Sequence, residues 1–218
     1  MRVLRAFQAA GLEYVLIGAG AMAFHGVVRA TEDLDLFIRA TPENVERLRA
    51  ALRAVYQDDP NINEISSEDL LGDYPAVRYC PPTGDLYFDV RTRLGEVANF
   101  ETTEAETKEV DGIQIKVATP SALLQIEEGH CSVAGSDGRR GAARTVQLKG
   151  RELMPVEKFR SIEDMNKAPV RESQEPPFER FLRLCARYWA IAPKRYPRGV
   201  FKFRTIEEAQ KAREKHVS

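Results

Sequence analysis

The sequence predicts an α/β (α+β) fold over its first 124 residues, followed by a small, mostly helical C-terminal appendage. Three observations point to it. Apolar, β-prone runs alternate with helical periods from Val3 to Val55. Two hairpin signals follow, at Pro81-Pro82-Thr83-Gly84 and Asp111-Gly112. The hydrophobic pattern then lapses after Leu124 and resumes as one amphipathic helix, Pro176 to Ile191.

The first helix, Val3 to Ala10, is short and ends at Gly11, a residue suited to the position just past a helix. Tyr14 to Ile17 is an apolar strand that stops at the small-residue turn Gly18-Ala19-Gly20. Ala21 to Val28 reads as a short helix, and Asp33 to Ile38 as a second strand. In a strand, side chains two apart share a face, so Asp33 and Asp35 point together while Leu34 and Leu36 enter the core. Two carboxylates side by side repel each other unless a cation lies between them. The same pattern is also that of an edge strand with a solvated acidic face.

Pro42 to Val55 is a helix, with Thr41 as its cap, Pro42 at its first position and Glu43 in its first turn. Its Arg47, Arg49 and Arg53 make a solvated face. Residues 58–73 are turn-rich, with a short helix near Glu68 to Leu71. Ala76 to Tyr79 and Leu86 to Val90 are strands, the second carrying Asp89 in an otherwise apolar run. A buried carboxylate is costly without a partner. Asp89 is therefore either paired with Arg91 or Arg93 or part of a site. Lys108 to Val110 and Ile113 to Val117 form a hairpin, and Thr119-Pro120 opens a helix.

At 218 residues the chain can bury the core of one domain, or of one domain and an appendage. Its 43% hydrophobic and 30% charged content is that of an ordinary globular protein. No apolar run reaches the length of a membrane span, and MRVLRAFQAA lacks the layout of a signal peptide. These features predict a cytoplasmic protein with no membrane partner. Cys80, Cys131 and Cys185 include no CxxC, which argues against a zinc site and fits a reducing compartment. Charge is uneven: residues 1–124 carry 12 Lys+Arg against 20 Asp+Glu, whereas residues 154–218 carry 15 against 9. The two ends therefore suit different partners, or each other.

The order strand, glycine turn, helix, Asp-x-Asp strand resembles the DNA polymerase beta-like nucleotidyltransferase superfamily. The details HGVVRATEDLDLFI look most like the small bacterial nucleotidyltransferases grouped with abortive-infection toxins. The resemblance covers residues 1–124. It implies a nucleotidyltransferase fold with a mixed β-sheet flanked by helices. It also implies that Asp33, Asp35 and Asp89 are the catalytic and metal-binding carboxylates. Gly18, Ala19, Gly20, Arg29 and Thr31 are then the nucleotide-binding positions. The family usually has Gly or Ser where Ala19 stands, so a hydroxyl contact to phosphate is missing there. The implied cofactor is Mg²⁺, as one or two ions, with a nucleoside triphosphate such as ATP as substrate. The implied acceptor is an RNA or protein hydroxyl, and a small antitoxin-like protein is a further expected partner. The alternative is a degenerate, catalytically weak nucleotide- or partner-binding module, fused to a small basic partner protein.

The expected organisation has three parts: a nucleotidyltransferase core at 1–124, an irregular junction at 125–153 and a small basic module at 154–218. The junction has no hydrophobic period and is rich in Gly, Ser and Arg. Read one nucleotide later, its codons permit a basic, Asp-containing string like the helix that relatives carry after Thr-Pro-x-x-Leu. They also permit a TGA stop overlapping the ATG of Met154. The segment is thus either a native linker or the product of a frameshift joining two overlapping frames. The last part holds a near-repeat, Val156 to Asp164 against Val200 to Glu208. In its helix, Phe178, Phe181, Leu182, Leu184, Cys185, Tyr188 and Trp189 lie on one side, and Arg180, Arg183 and Arg187 on the other.

Overall fold

The computed structural model describes residues 1–57, 59–83, 86–133, 175–191 and 197–214. Its centre is a mixed sheet that holds seven strands among the described residues. In chain order the helices and strands are α1 (Arg2–Ala9), β1 (Tyr14–Leu16), α2 (Gly18–Phe24), β2 (Asp33–Ile38), α3 (Pro42–Tyr56) and α4 (Ser67–Leu71). There follow β3 (Ala76–Cys80), β4 (Tyr87–Arg91), β5 (Arg93–Leu94), β6 (Ala98–Asn99), β7 (Ala105–Val110), β8 (Ile113–Ala118) and α5 (Pro120–Val133). The described C-terminal residues add α6 (Pro177–Ile191), β9 (Gly199–Phe203) and α7 (Ile206–Glu214).

The main sheet runs β7-β8-β1-β2-β4-β3-β9. β1 pairs antiparallel with β2 and parallel with β8, and β2 pairs parallel with β4. The other main-sheet pairs, β7–β8, β3–β4 and β3–β9, are antiparallel. One face is apolar and is covered by α1 and α3. Phe7 meets Phe88 edge-on at 6.4 Å, and Tyr56 meets Phe88 and Tyr79 at 6.0 and 5.7 Å. Their burial, with that of Leu48, Leu52, Leu36 and Val90, is the main source of stability, because removing apolar area from water drives folding.

Local signals account for most boundaries. Thr41 accepts from the Asn44 backbone N–H at 3.2 Å and caps α3, as its sequence predicts. Asp111 and Gly112 both take positive φ (51° and 73°), the backbone that the two-residue β7–β8 hairpin needs. Asn44 is wholly internal: its side chain accepts from the Glu13 N–H and donates to the Glu13 and Arg39 carbonyls, pinning α3 to both strands at the one end of the antiparallel β1–β2 pair where Glu13 and Arg39 stand opposite each other.

Three features differ from the sequence expectation. Helix α2 begins at Gly18, not Ala21, because Gly18 at φ +62° turns the chain in one residue and the helix starts at once. Helix α5 runs to Val133, well into the stretch expected to be irregular from Gln125; Gln125, Glu127 and Glu128 are sound helix formers and carry it past Leu124, while local propensity does not account for Gly129 to Val133. The remainder of 125–153, the Met154 boundary and the first near-repeat copy lie outside the described residues.

The third difference is where the described part of 154–218 packs. Its β9 is a strand of the main sheet, pairing through all five residues with β3. Its α6 lies against α2, with the Phe24 and Phe178 rings stacked at 4.2 Å. Phe181, Cys185 and Trp189 are buried along the same side, whereas Leu184 is exposed. The second near-repeat copy has the expected form: strand residues, then Thr205 accepting from the Glu208 N–H, then α7 with Glu207 and Glu208 in its first turn.

Candidate functional site

The second face of the sheet is polar at its centre because of strand parity. Asp33 and Asp35 leave β2 on that face, while Leu34 and Leu36 enter the core. The parallel β2–β4 register sets Asp35 directly beside Asp89. One ligand atom from each of Asp33, Asp35 and Asp89 lies within 4.8 Å of the other two. Asp33 and Asp89 are both 4% exposed, so their charges sit largely out of water.

Two buried arginines balance them. Arg78, opposite Asp89 on β3, donates from Nε to Asp89 Oδ1 at 2.8 Å and from Nη2 to Oδ2 at 3.0 Å. Arg91, two residues after Asp89, bridges Asp35 Oδ1 at 3.1 Å and Asp89 Oδ2 at 3.3 Å. Of the two pairing partners expected for Asp89, Arg91 is in place. Arg93 instead donates to the Gly72 carbonyl. Arg78 was not legible as a site residue, although a lone arginine in the apolar run Ala76-Val77-Arg78-Tyr79-Cys80 carries the same signal as Asp89 does in its own strand.

The glycine turn lies against this cluster. A Cβ on Gly18 would run into the carboxylate of Asp35, and the Ile17 N–H bonds to the Asp35 carbonyl at 3.0 Å. Ala19 and Gly20 are buried. The Thr31 hydroxyl donates to Asp33 Oδ1, whereas Arg29 is exposed on the loop leading into β2. Helix α6 closes that flank: the Tyr188 hydroxyl donates to Glu32 at 3.1 Å. Burial pushes the Cys185 thiol pKa up; a hydrogen bond with the Thr31 backbone opposes this, and the nearby Asp33 charge adds to it.

Carboxylate oxygens are hard donors, and three converging on one point fit Mg²⁺ or Mn²⁺ rather than a softer metal. A mixed sheet flanked by helices, with a glycine turn set against paired strand aspartates, is the fold of a nucleotidyltransferase. The family model described as "Nucleotidyl transferase AbiEii toxin, Type IV TA system" matches residues 2–118. The chain belongs to this nucleotidyltransferase toxin family of a type IV toxin–antitoxin system. No curated protein and no solved structure matches the chain. No described helix is long and apolar enough to cross a membrane.

Proposed function

We propose that the chain moves a nucleoside monophosphate from a nucleoside triphosphate to an RNA or protein hydroxyl, as the toxin of a toxin–antitoxin pair. The observation that carries this reading is the convergence of Asp33, Asp35 and Asp89 within 4.8 Å, inside a chain of the AbiEii family. In the reaction the acceptor oxygen attacks the α-phosphorus in line, the bond to pyrophosphate breaks, and the hydroxyl proton is lost. Asp33, Asp35 and Asp89 would hold the divalent cation, with Asp89 also standing beside the attacking hydroxyl. The bound cation supplies charge neutralisation for the phosphates and stabilises the entering and leaving oxygens. Gly18, having no side chain, lets the turn come close to Asp35. Thr31 orients Asp33 through its hydroxyl. A cytoplasmic setting and a cognate antitoxin belong to the same proposal.

A second reading is favoured by a specific observation: both oxygens of Asp89 are engaged by Arg78, and Ala19 provides no hydroxyl at the turn. On that reading the chain binds a nucleotide or a partner with little turnover.

Mg²⁺ with a nucleoside triphosphate tests the site. Ligand binding to the folded state alone stabilises it by about 2.7 kcal/mol at roughly a hundredfold excess over Kd. Thermal unfolding should therefore shift upward in the wild-type chain, and Asp35→Asn should remove most of the shift. Equal shifts in both proteins would remove the metal-site assignment. A shift without transfer would select the second reading.

A further inference from the structure

On the polar face, residues of four strands stand in rows. Asp35, Asp89, Arg78 and Phe201 are successive cross-strand partners on β2, β4, β3 and β9. One step along, Phe37, Arg91, Ala76 and Phe203 form the next row on the same face. The Arg78 guanidinium therefore meets aromatic rings from two strands: Tyr87 at 4.7 Å and Phe203 at 5.4 Å from its centre. That same guanidinium makes the bidentate contact to Asp89, and Arg78 is 3% exposed. Aromatic faces attract a cation and fix the plane of a guanidinium, and a planar fork held in plane suits a carboxylate.

We propose that Phe203 is a positioning residue that governs cation loading at Asp89. Its ring keeps Arg78 on both Asp89 oxygens, and a divalent cation gains Asp89 as a ligand only as Arg78 gives them up. This rests on the reading of Asp33, Asp35 and Asp89 as a metal site. Phe203 lies far along the chain from the triad, so the docking of β9 on β3 becomes coupled to cation affinity. The Lys202–Asp69 ion pair at 2.7 Å and the Tyr188–Glu32 hydrogen bond hold the same C-terminal segment in place. Coupling is reciprocal: a cation that draws Asp89 away from Arg78 loosens the contact that Arg78 makes with β9.

The test is Mn²⁺ binding to the full chain, read by the electron paramagnetic resonance signal of the free ion. Phe203 is half-buried, so Phe203→Leu keeps apolar bulk and removes the ring face. It should tighten Mn²⁺ binding by about 2- to 30-fold, the range that a cation–ring contact spans. Phe203→Met is a second variant of the same kind, and Phe203→Tyr, which keeps the ring, should stay within about twofold of wild type. With Arg78→Gln in the background, Phe203→Leu should no longer change the affinity, because the coupling passes through Arg78. Wild-type affinity in folded Phe203→Leu and Phe203→Met overturns the proposal, as does an effect that persists without Arg78. Wild-type Mn²⁺ binding that is indifferent to Asp33→Asn overturns the metal-site reading itself, a distinct outcome.

Discussion

Replacing Gly18 with alanine puts a methyl group where the Asp35 carboxylate now sits. The backbone there has φ +62°, and the added Cβ would overlap Oδ2 of Asp35 and lie 3.0 Å from its Cγ. Two costs follow. The left-handed backbone disfavours alanine by roughly 1–2 kcal/mol relative to glycine. Displacing the Asp35 carboxylate strains its 3.1 Å ion pair with the buried Arg91, and leaving a shielded polar group poorly paired costs about 1–3 kcal/mol. The expected loss is thus about 2–5 kcal/mol, which for a chain of this size lowers Tm by roughly 4–20 °C. Gly20→Ala is the control: its φ is not positive, and the nearest atoms its Cβ would meet are methyl groups of Leu16 and Leu34, the closest at 3.3 Å. Calorimetric unfolding of the three proteins checks this. Gly18→Ala melting with wild type, or Gly20→Ala melting below Gly18→Ala, would refute the argument that Asp35 needs the space.

Three further outcomes are expected. Arg78→Met leaves the buried Asp89 without its bidentate partner and should cost about 3–5 kcal/mol in urea unfolding, with Asp89→Leu in the same chain restoring part of it. Asp69 has its pKa lowered by hydrogen bonds from Lys202 and Ser66, so its contribution is full above the unfolded carboxylate value and lost as pH falls through the folded one. Asp69→Asn should therefore cost roughly 0.5 kcal/mol at neutral pH and converge with wild type in acid, as read by unfolding curves across pH. Sequencing the coding DNA should show, in the shifted frame, a TGA overlapping the ATG of Met154; codons that cannot form it would make residues 125–153 a native part of the protein.

Where the signal was local, the sequence carried the fold. Alternation in Asp33-Leu34-Asp35-Leu36 put both carboxylates on one face, and Asp89 in Tyr87-Phe88-Asp89-Val90 marked the third. Thr41, Pro42 and Asp111-Gly112 set boundaries that the backbone keeps. Long-range pairing left no such trace. Nothing near Val200 announces β3 as its partner, because strand pairing depends on two segments far apart in the chain. The two-residue strands β5 and β6 are too short to show a period. Arg78 went unread because an isolated arginine in a strand is usually a solvated edge residue; only the register with Asp89 gives it a role.

The most direct test of the account follows the phosphate. The full chain is incubated with Mg²⁺, total RNA or protein, and a nucleoside triphosphate labelled at either the α or the γ position. Nucleotidyl transfer predicts that α-label becomes attached to the acceptor while γ-label leaves as pyrophosphate, and that Asp35→Asn lowers attachment at least about a hundredfold, as expected for loss of a cation ligand in the transition state. Attachment of γ-label, or equal attachment of α-label by the Asp35→Asn chain, would contradict it.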